Sequence, residues 1–86
     1  MPIIDKLEAF VREVGQVDPD DPEFTRETDL WDMGYLDSNG VVELIVFIES
    51  EFGVEVPEEA LFDPDFTRLS GIARVVEDLV ATPRPV

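Results

Sequence analysis

The sequence predicts an all-α fold: a small bundle of three major helices and one short one, with a long first connection. Three observations predict it. Apolar residues recur at helical spacing in three separated stretches. No two alternating runs are joined by a hairpin turn. No internal repeat or low-complexity tract breaks the pattern. The 86 residues make one domain, expected to occupy residues 1–81 and to leave 82–86 as a flexible tail. Hydrophobic residues at 44 % suit a globular chain rather than a disordered one.

The first helix is expected from about Pro2 to Val14. Ile3, Ile4, Leu7, Phe10, Val11 and Val14 fall on one face. Pro2 suits the first helical turn and Gly15 the stop. Residues 16 to about 37 read as a long loop, because Pro19 and Pro22 sit among Asp18, Asp20, Asp21 and Glu23. Yet Phe24, Leu30, Trp31, Met33, Tyr35 and Leu36 are too many apolar groups to leave in water. A loop of that length is functional or pinned by its own side chains. Leu30 and Leu36 are expected to plug into the core, with Trp31 or Tyr35 partly exposed.

The second helix is expected from Ser38 or Asn39 to Phe52, with Val41, Leu44, Ile45, Ile48 and Phe52 inside and Gly53 as its stop. Val42, Val46 and Phe47 widen the apolar arc. Val42 and Val46 are expected to pack beneath the long loop; exposure toward a partner is the alternative. Val54 to Pro57 reads as an extended connector, Glu58 to Leu61 or Phe62 as one helical turn, and Asp63 to Phe66 as a turn. The last helix is expected from about Arg68 to Ala81, capped by Thr67 or Ser70. Its inner face would be Leu69, Ile72, Ala73, Val76, Leu79 and Val80.

The formal net charge is −15, from 21 acidic and 6 basic residues. Such a surface repels phosphate backbones and anionic membranes, which argues against nucleic-acid binding and membrane insertion. It steers partners that carry a basic patch, or simply keeps a small protein dispersed. There is no cysteine, so disulfides and thiolate chemistry are excluded. No apolar run is long enough to span a bilayer, and the first residues lack a signal-peptide pattern. The expectation is a cytoplasmic monomer.

The chain also has no histidine, and Lys6 is its only lysine, so Ser38 has no general base for hydrolase chemistry. Two roles remain for it. As a helix cap, Ser38 would accept a hydrogen bond from a backbone N–H, worth about 0.5–2 kcal/mol. As an attachment point, it would carry a group. Asp37 immediately before it could help to ligate a metal brought by a modifying enzyme. The helix N-terminus would tolerate a phosphodiester. Gly34 and Gly40 on either side leave little bulk in a partner's way. The acidic run at Asp18, Asp20, Asp21 and Glu23 lacks the central glycine and closing glutamate of an EF-hand, so no calcium site is expected there.

Nearly the whole chain resembles the phosphopantetheine-bearing carrier proteins. Leu30-Trp31-Asp32-Met33-Gly34-Tyr35-Leu36-Asp37-Ser38 is similar to that family's approach to its Asp-Ser attachment motif. Val42-Glu43-Leu44 through Gly53-Val54-Glu55-Val56-Pro57 is similar to the helix and exit that follow, and Phe66-Thr67-Arg68-Leu69 to its last element. The resemblance implies an acyl-carrier-protein-like bundle that is not an enzyme. Ser38 would receive 4′-phosphopantetheine from coenzyme A through a Mg²⁺-dependent phosphopantetheinyl transferase. The arm's thiol would hold an acyl or aminoacyl cargo as a thioester. An adenylating ligase or acyltransferase would load that cargo, and a downstream synthase or transferase would receive it. Glu43, Glu49, Val42 and Asn39 would meet these partners, Glu43 foremost.

Two details bear on the subgroup. Two residues, Tyr35 and Leu36, separate Gly34 from Asp37. That spacing looks like D-alanyl carrier proteins and stand-alone carriers of specialised pathways, whereas fatty-acid and peptidyl carriers usually have one. Asn39 stands where the family usually has Leu, Met, Ile or Phe, which bears on partner recognition. The competing expectations are a fatty-acid synthesis carrier, an unmodified carrier-like module docking on a basic partner, and a small metal-binding protein.

Overall fold

A computed structural model of the protein describes residues 2–81. Within them the chain forms α1 (Ile3–Val14), α2 (Ser38–Phe52), α3 (Glu58–Leu61), a 3₁₀ turn (Pro64–Thr67) and α4 (Leu69–Ala81). Among the described residues there is no strand. The all-α reading and the long first connection therefore hold. The tail expected at 82–86 lies outside the described residues. Among the described residues no helix is long and apolar enough to cross a membrane.

Leu7 and Val11 of α1, Leu44 and Ile48 of α2, and Leu69, Ile72, Ala73 and Val76 of α4 meet in one core with Phe66. Leu79 is only half-buried and Val80 lies exposed at the end of α4. The long loop supplies Leu30, Leu36 and Phe24 to the same core. The loop is also bonded to α4 through its backbone. Leu30 N–H donates to the Thr67 carbonyl at 2.8 Å, and Ser70 N–H donates to the Arg26 carbonyl at 3.0 Å. An open N–H of the first turn of α4 is thus satisfied by the loop rather than by a Thr67 or Ser70 cap. The Thr67 hydroxyl donates to the Pro64 carbonyl and the Ser70 hydroxyl to Glu27.

Pro2 sits one residue before α1, as its N-cap. At the other end the left-handed residue is Gln16, φ 51°, while Gly15 stays right-handed. Val17 N–H reaches the Arg12 carbonyl at 2.9 Å and Gln16 N–H the Glu13 carbonyl at 3.3 Å, a Schellman closure with a glutamine at its turning point. Glycine is needed one position earlier for space: a Cβ on Gly15 would lie 2.7 Å from the Tyr35 carbonyl oxygen.

Val42 and Val46 are 61 % and 59 % exposed, so they do not pack beneath the loop. The loop leans on α4 instead. Phe47 takes the seam between α1 and α2, stacked on Phe10 at 4.3 Å and edge-on to Phe52 at 6.1 Å. α2 ends at Gly53, φ 65°, as its sequence predicts.

Candidate functional site

Ser38 is the first residue of α2 and is exposed. It is not the cap. Asp37 holds that position in extended backbone, φ −106° and ψ −171°, and its Oδ1 accepts the Gly40 N–H at 2.8 Å. The carboxylate reaches the third helical amide, so of the two roles open to Ser38 the cap falls to Asp37. Among the described residues the Ser38 hydroxyl has no hydrogen-bond partner, and the Ser38 and Asn39 amides have no acceptor. Beyond the Asp37 cap, no acidic side chain occupies the first turn. An exposed hydroxyl therefore lies among open N–H groups at the positive end of a helix dipole. That arrangement suits a phosphodiester on the hydroxyl.

Of the flanking glycines, Gly34 lies in open space, while Gly40 does a different job from clearing an approach. Gly40 is buried, and a Cβ there would lie 3.0 Å from Leu36 Cδ2 and 3.6 Å from Val14 Cγ1. It lets the start of α2 close against the end of α1. Gly34 turns the chain with φ 77° in an exposed loop.

Asn39, Val42 and Glu43 are exposed beside Ser38. Ser38, Val42 and Val46 are spaced four apart, so they descend one side of α2, and Asn39 and Glu43 run parallel to them. Glu49 is placed differently. It is half-buried and its Oε2 accepts the Val56 N–H at 3.0 Å, which ties the connector after α2 back to the helix. Phe62, just after α3, is 78 % exposed, and the sequence pattern did not single it out.

Charge is uneven along the chain. From Glu27 to Thr67 the chain has no lysine or arginine. The described cations lie outside that span and are already paired: Lys6 with Glu51, Arg12 with Glu8, Arg26 with Asp5 and Glu8, and Arg68 and Arg74 with Asp65. The segment that carries Ser38 thus has many carboxylates and no cation of its own.

The acidic loop is used internally. Asp18 accepts the Asp20 N–H and Asp21 the Glu23 N–H, each at 2.9 Å. The Tyr35 hydroxyl donates to Asp21 Oδ2 at 2.7 Å. That bond holds the phenol's proton and pushes the Tyr35 pKa up to about 12. The same hydroxyl, and then the Glu23 amide, hold Asp21 below its ordinary value. Among the described residues no group of three or more acidic side chains is placed to hold a metal ion.

Comparison with known proteins identifies what this arrangement belongs to. The family model described as "Phosphopantetheine attachment site" matches residues 5–76. D-alanyl carrier proteins of Streptococcus pyogenes serotype M5 (strain Manfredo), serotype M49 (strain NZ131) and serotype M1 are similar. Each is 43 % identical over 53 residues, covering 62 % of this chain and 67 % of the relative.

Proposed function

We infer the function from one premise: the chain belongs to the phosphopantetheine-attachment family, by the match over residues 5–76. It is therefore a carrier protein with covalently attached 4′-phosphopantetheine, and it is not itself catalytic. We propose that Ser38 is the attachment residue. The observation that carries this is the spare, exposed Ser38 hydroxyl at the N-terminus of α2, left free because Asp37 caps the helix. In the attachment step Ser38 Oγ bonds to the β-phosphorus of coenzyme A and its proton passes to the transferase. The pyrophosphate linkage breaks, and adenosine 3′,5′-bisphosphate leaves. Once in place, the arm supplies a thiol that holds cargo as a thioester.

The protein's own residues do the rest by being recognised. The Val42–Val46 stripe offers an apolar footing, and Glu43 with the surrounding negative potential steers partners whose apolar contact is rimmed by Lys or Arg. Such partners are the phosphopantetheinyl transferase and the enzyme that loads the cargo. Similarity to D-alanyl carrier proteins, with the two-residue spacing between Gly34 and Asp37, supports an aminoacyl cargo loaded by an adenylating ligase in a dedicated pathway.

The test is intact mass after incubation with coenzyme A, Mg²⁺ and broad-specificity transferases. The wild type gains one arm and Ser38→Ala gains none. An arm on Ser38→Ala, or none on the wild type with several transferases, overturns the assignment.

A further inference from the structure

We propose that Tyr35 is a positioning residue for arm attachment, latching the α1–α2 loop to the turn that delivers Ser38. The proposal rests on the reading of Ser38 as the attachment residue. It begins with the two residues between Gly34 and Asp37, which do unlike things. The Tyr35 and Leu36 amides both donate to the Leu30 carbonyl, at 3.0 and 3.1 Å. From that shared anchor Leu36 turns into the core. Tyr35 turns the other way and meets Phe24 edge-on at 5.2 Å, its hydroxyl on Asp21. Phe24 in turn carries the Arg12 guanidinium of α1 at 4.6 Å. One side chain thus joins α1, the acidic loop and the turn that precedes Ser38.

The position of that turn is not set by packing alone. Its backbone touches the end of α1, the Tyr35 carbonyl lying against Gly15, but beside that contact an open pocket of about 220 Å³ is lined by Gln16, Gly34, Tyr35 and Asp37 among others. The turn is therefore open on the side that faces this pocket. Inside, Leu36 holds it to the core. Outside, the Tyr35 hydroxyl bond to Asp21 holds it to the loop. Asp37 and Ser38 follow directly, and the Asp37 cap acts only within α2. Releasing the latch loosens the turn on its open side, and the Ser38 hydroxyl then spends less time in the orientation a transferase accepts. A protein whose competent state is only partly populated binds more weakly by that fraction, with the chemical step unchanged.

Tyr35→Phe tests this with the ring retained. Amide hydrogen exchange is measured on the unmodified protein, and transfer kinetics with coenzyme A and a phosphopantetheinyl transferase. The Leu36 and Gly40 amides should exchange several-fold faster, while those of Leu44 and Ile48 stay as in the wild type. KM for the carrier should rise about 3- to 10-fold with kcat within about twofold. Asp21→Ala, which also releases the Glu23 N–H, should do at least as much, and the double variant should be no worse than Asp21→Ala alone, because both remove the Tyr35–Asp21 bond. Tyr35→Phe that matches the wild type in exchange and KM overturns the latch while leaving the Ser38 assignment intact. So does a fall in kcat at constant KM, faster exchange spread evenly over the helices, or additive effects in the double variant. A wild type that gains no arm overturns the Ser38 assignment and the latch with it.

Discussion

Asp37 is the residue whose replacement separates folding from function most cleanly. Its carboxylate accepts the Gly40 N–H at 2.8 Å and lies at the positive end of α2. Two contributions follow. The capping bond is worth about 1 kcal/mol, and Asn supplies it nearly as well as Asp. The charge–dipole attraction adds about 0.3–1 kcal/mol at low ionic strength and fades with salt. Asp37→Asn should therefore cost about 0.5 kcal/mol in dilute buffer and almost nothing in high salt. Asp37→Ala should cost about 1–2 kcal/mol, of which about 1 survives salt. For a domain of this size each kcal/mol moves Tm by roughly 4–8 °C, so thermal unfolding followed by circular dichroism resolves the order. Arm transfer should rank the variants differently: if the carboxylate helps to ligate the transferase's Mg²⁺, both lose at least about tenfold in rate, which is roughly 1.4 kcal/mol in the barrier. A salt-independent loss of equal size in Asn and Ala would refute the cap. Near-normal transfer by Asp37→Asn would refute the metal-side role and leave Asp37 as a cap alone.

Three further outcomes are expected. Leu30 sits in a loop but is fully buried, so Leu30→Ala should cost about 2–5 kcal/mol by urea unfolding, as a helix core residue would; a loss below about 1 would mean the loop does not plug the core. A Cβ on Gly71 would lie 1.7 Å from the Asp65 carbonyl oxygen, so Gly71→Ala must push the 3₁₀ turn away from α4. It should lower the urea midpoint by an amount worth about 1–3 kcal/mol, and an unchanged midpoint would contradict the packing. The phenolate band of Tyr35, the only tyrosine, should titrate at about 12 rather than 10.0, and fall back toward 10.0 in Asp21→Asn. Because the folded pKa is raised, the stability this bond contributes is complete below pH 10 and is lost as pH climbs toward 12. At the acid end the sign reverses. Asp21 is depressed from 3.8, so its contribution is present above 3.8 and is lost as pH falls through the lower folded value.

Periodicity made the helices legible, because each buries a face against the others and leaves a repeating trace. α1 and α2 end within a residue of where the pattern stops, and α3 and α4 begin where the turn residues place them. What the sequence concealed are contacts whose partner lies far along the chain. Val42 and Val46 read as core by composition, yet their exposure depends on the loop being bonded to α4 through Leu30 and Ser70. Gly40 read as clearance for a partner and Gly71 drew no reading, although each is a close approach of two segments. Glu49 read as surface charge because its partner, the Val56 amide, carries no side-chain signal. At the site, Asp37 and Ser38 are both good capping residues, and only backbone geometry decides between them.

That decision has an energetic consequence for loading. Were Ser38 the cap, esterifying its hydroxyl would disturb the bond that starts α2, and modification would cost the helix about 1 kcal/mol. With Asp37 as the cap, Ser38 gives up nothing when it is esterified. The open Ser38 and Asn39 amides then face a phosphodiester anion, which favours the helix by about 0.3–1 kcal/mol at low salt. The modified protein should therefore melt at or slightly above the temperature of the unmodified one, and the difference should shrink as salt is added. Thermal unfolding of the two forms side by side measures it. A modified form that melts several degrees lower in dilute buffer would mean that the Ser38 hydroxyl was engaged after all, and that the division of labour between Asp37 and Ser38 is wrong.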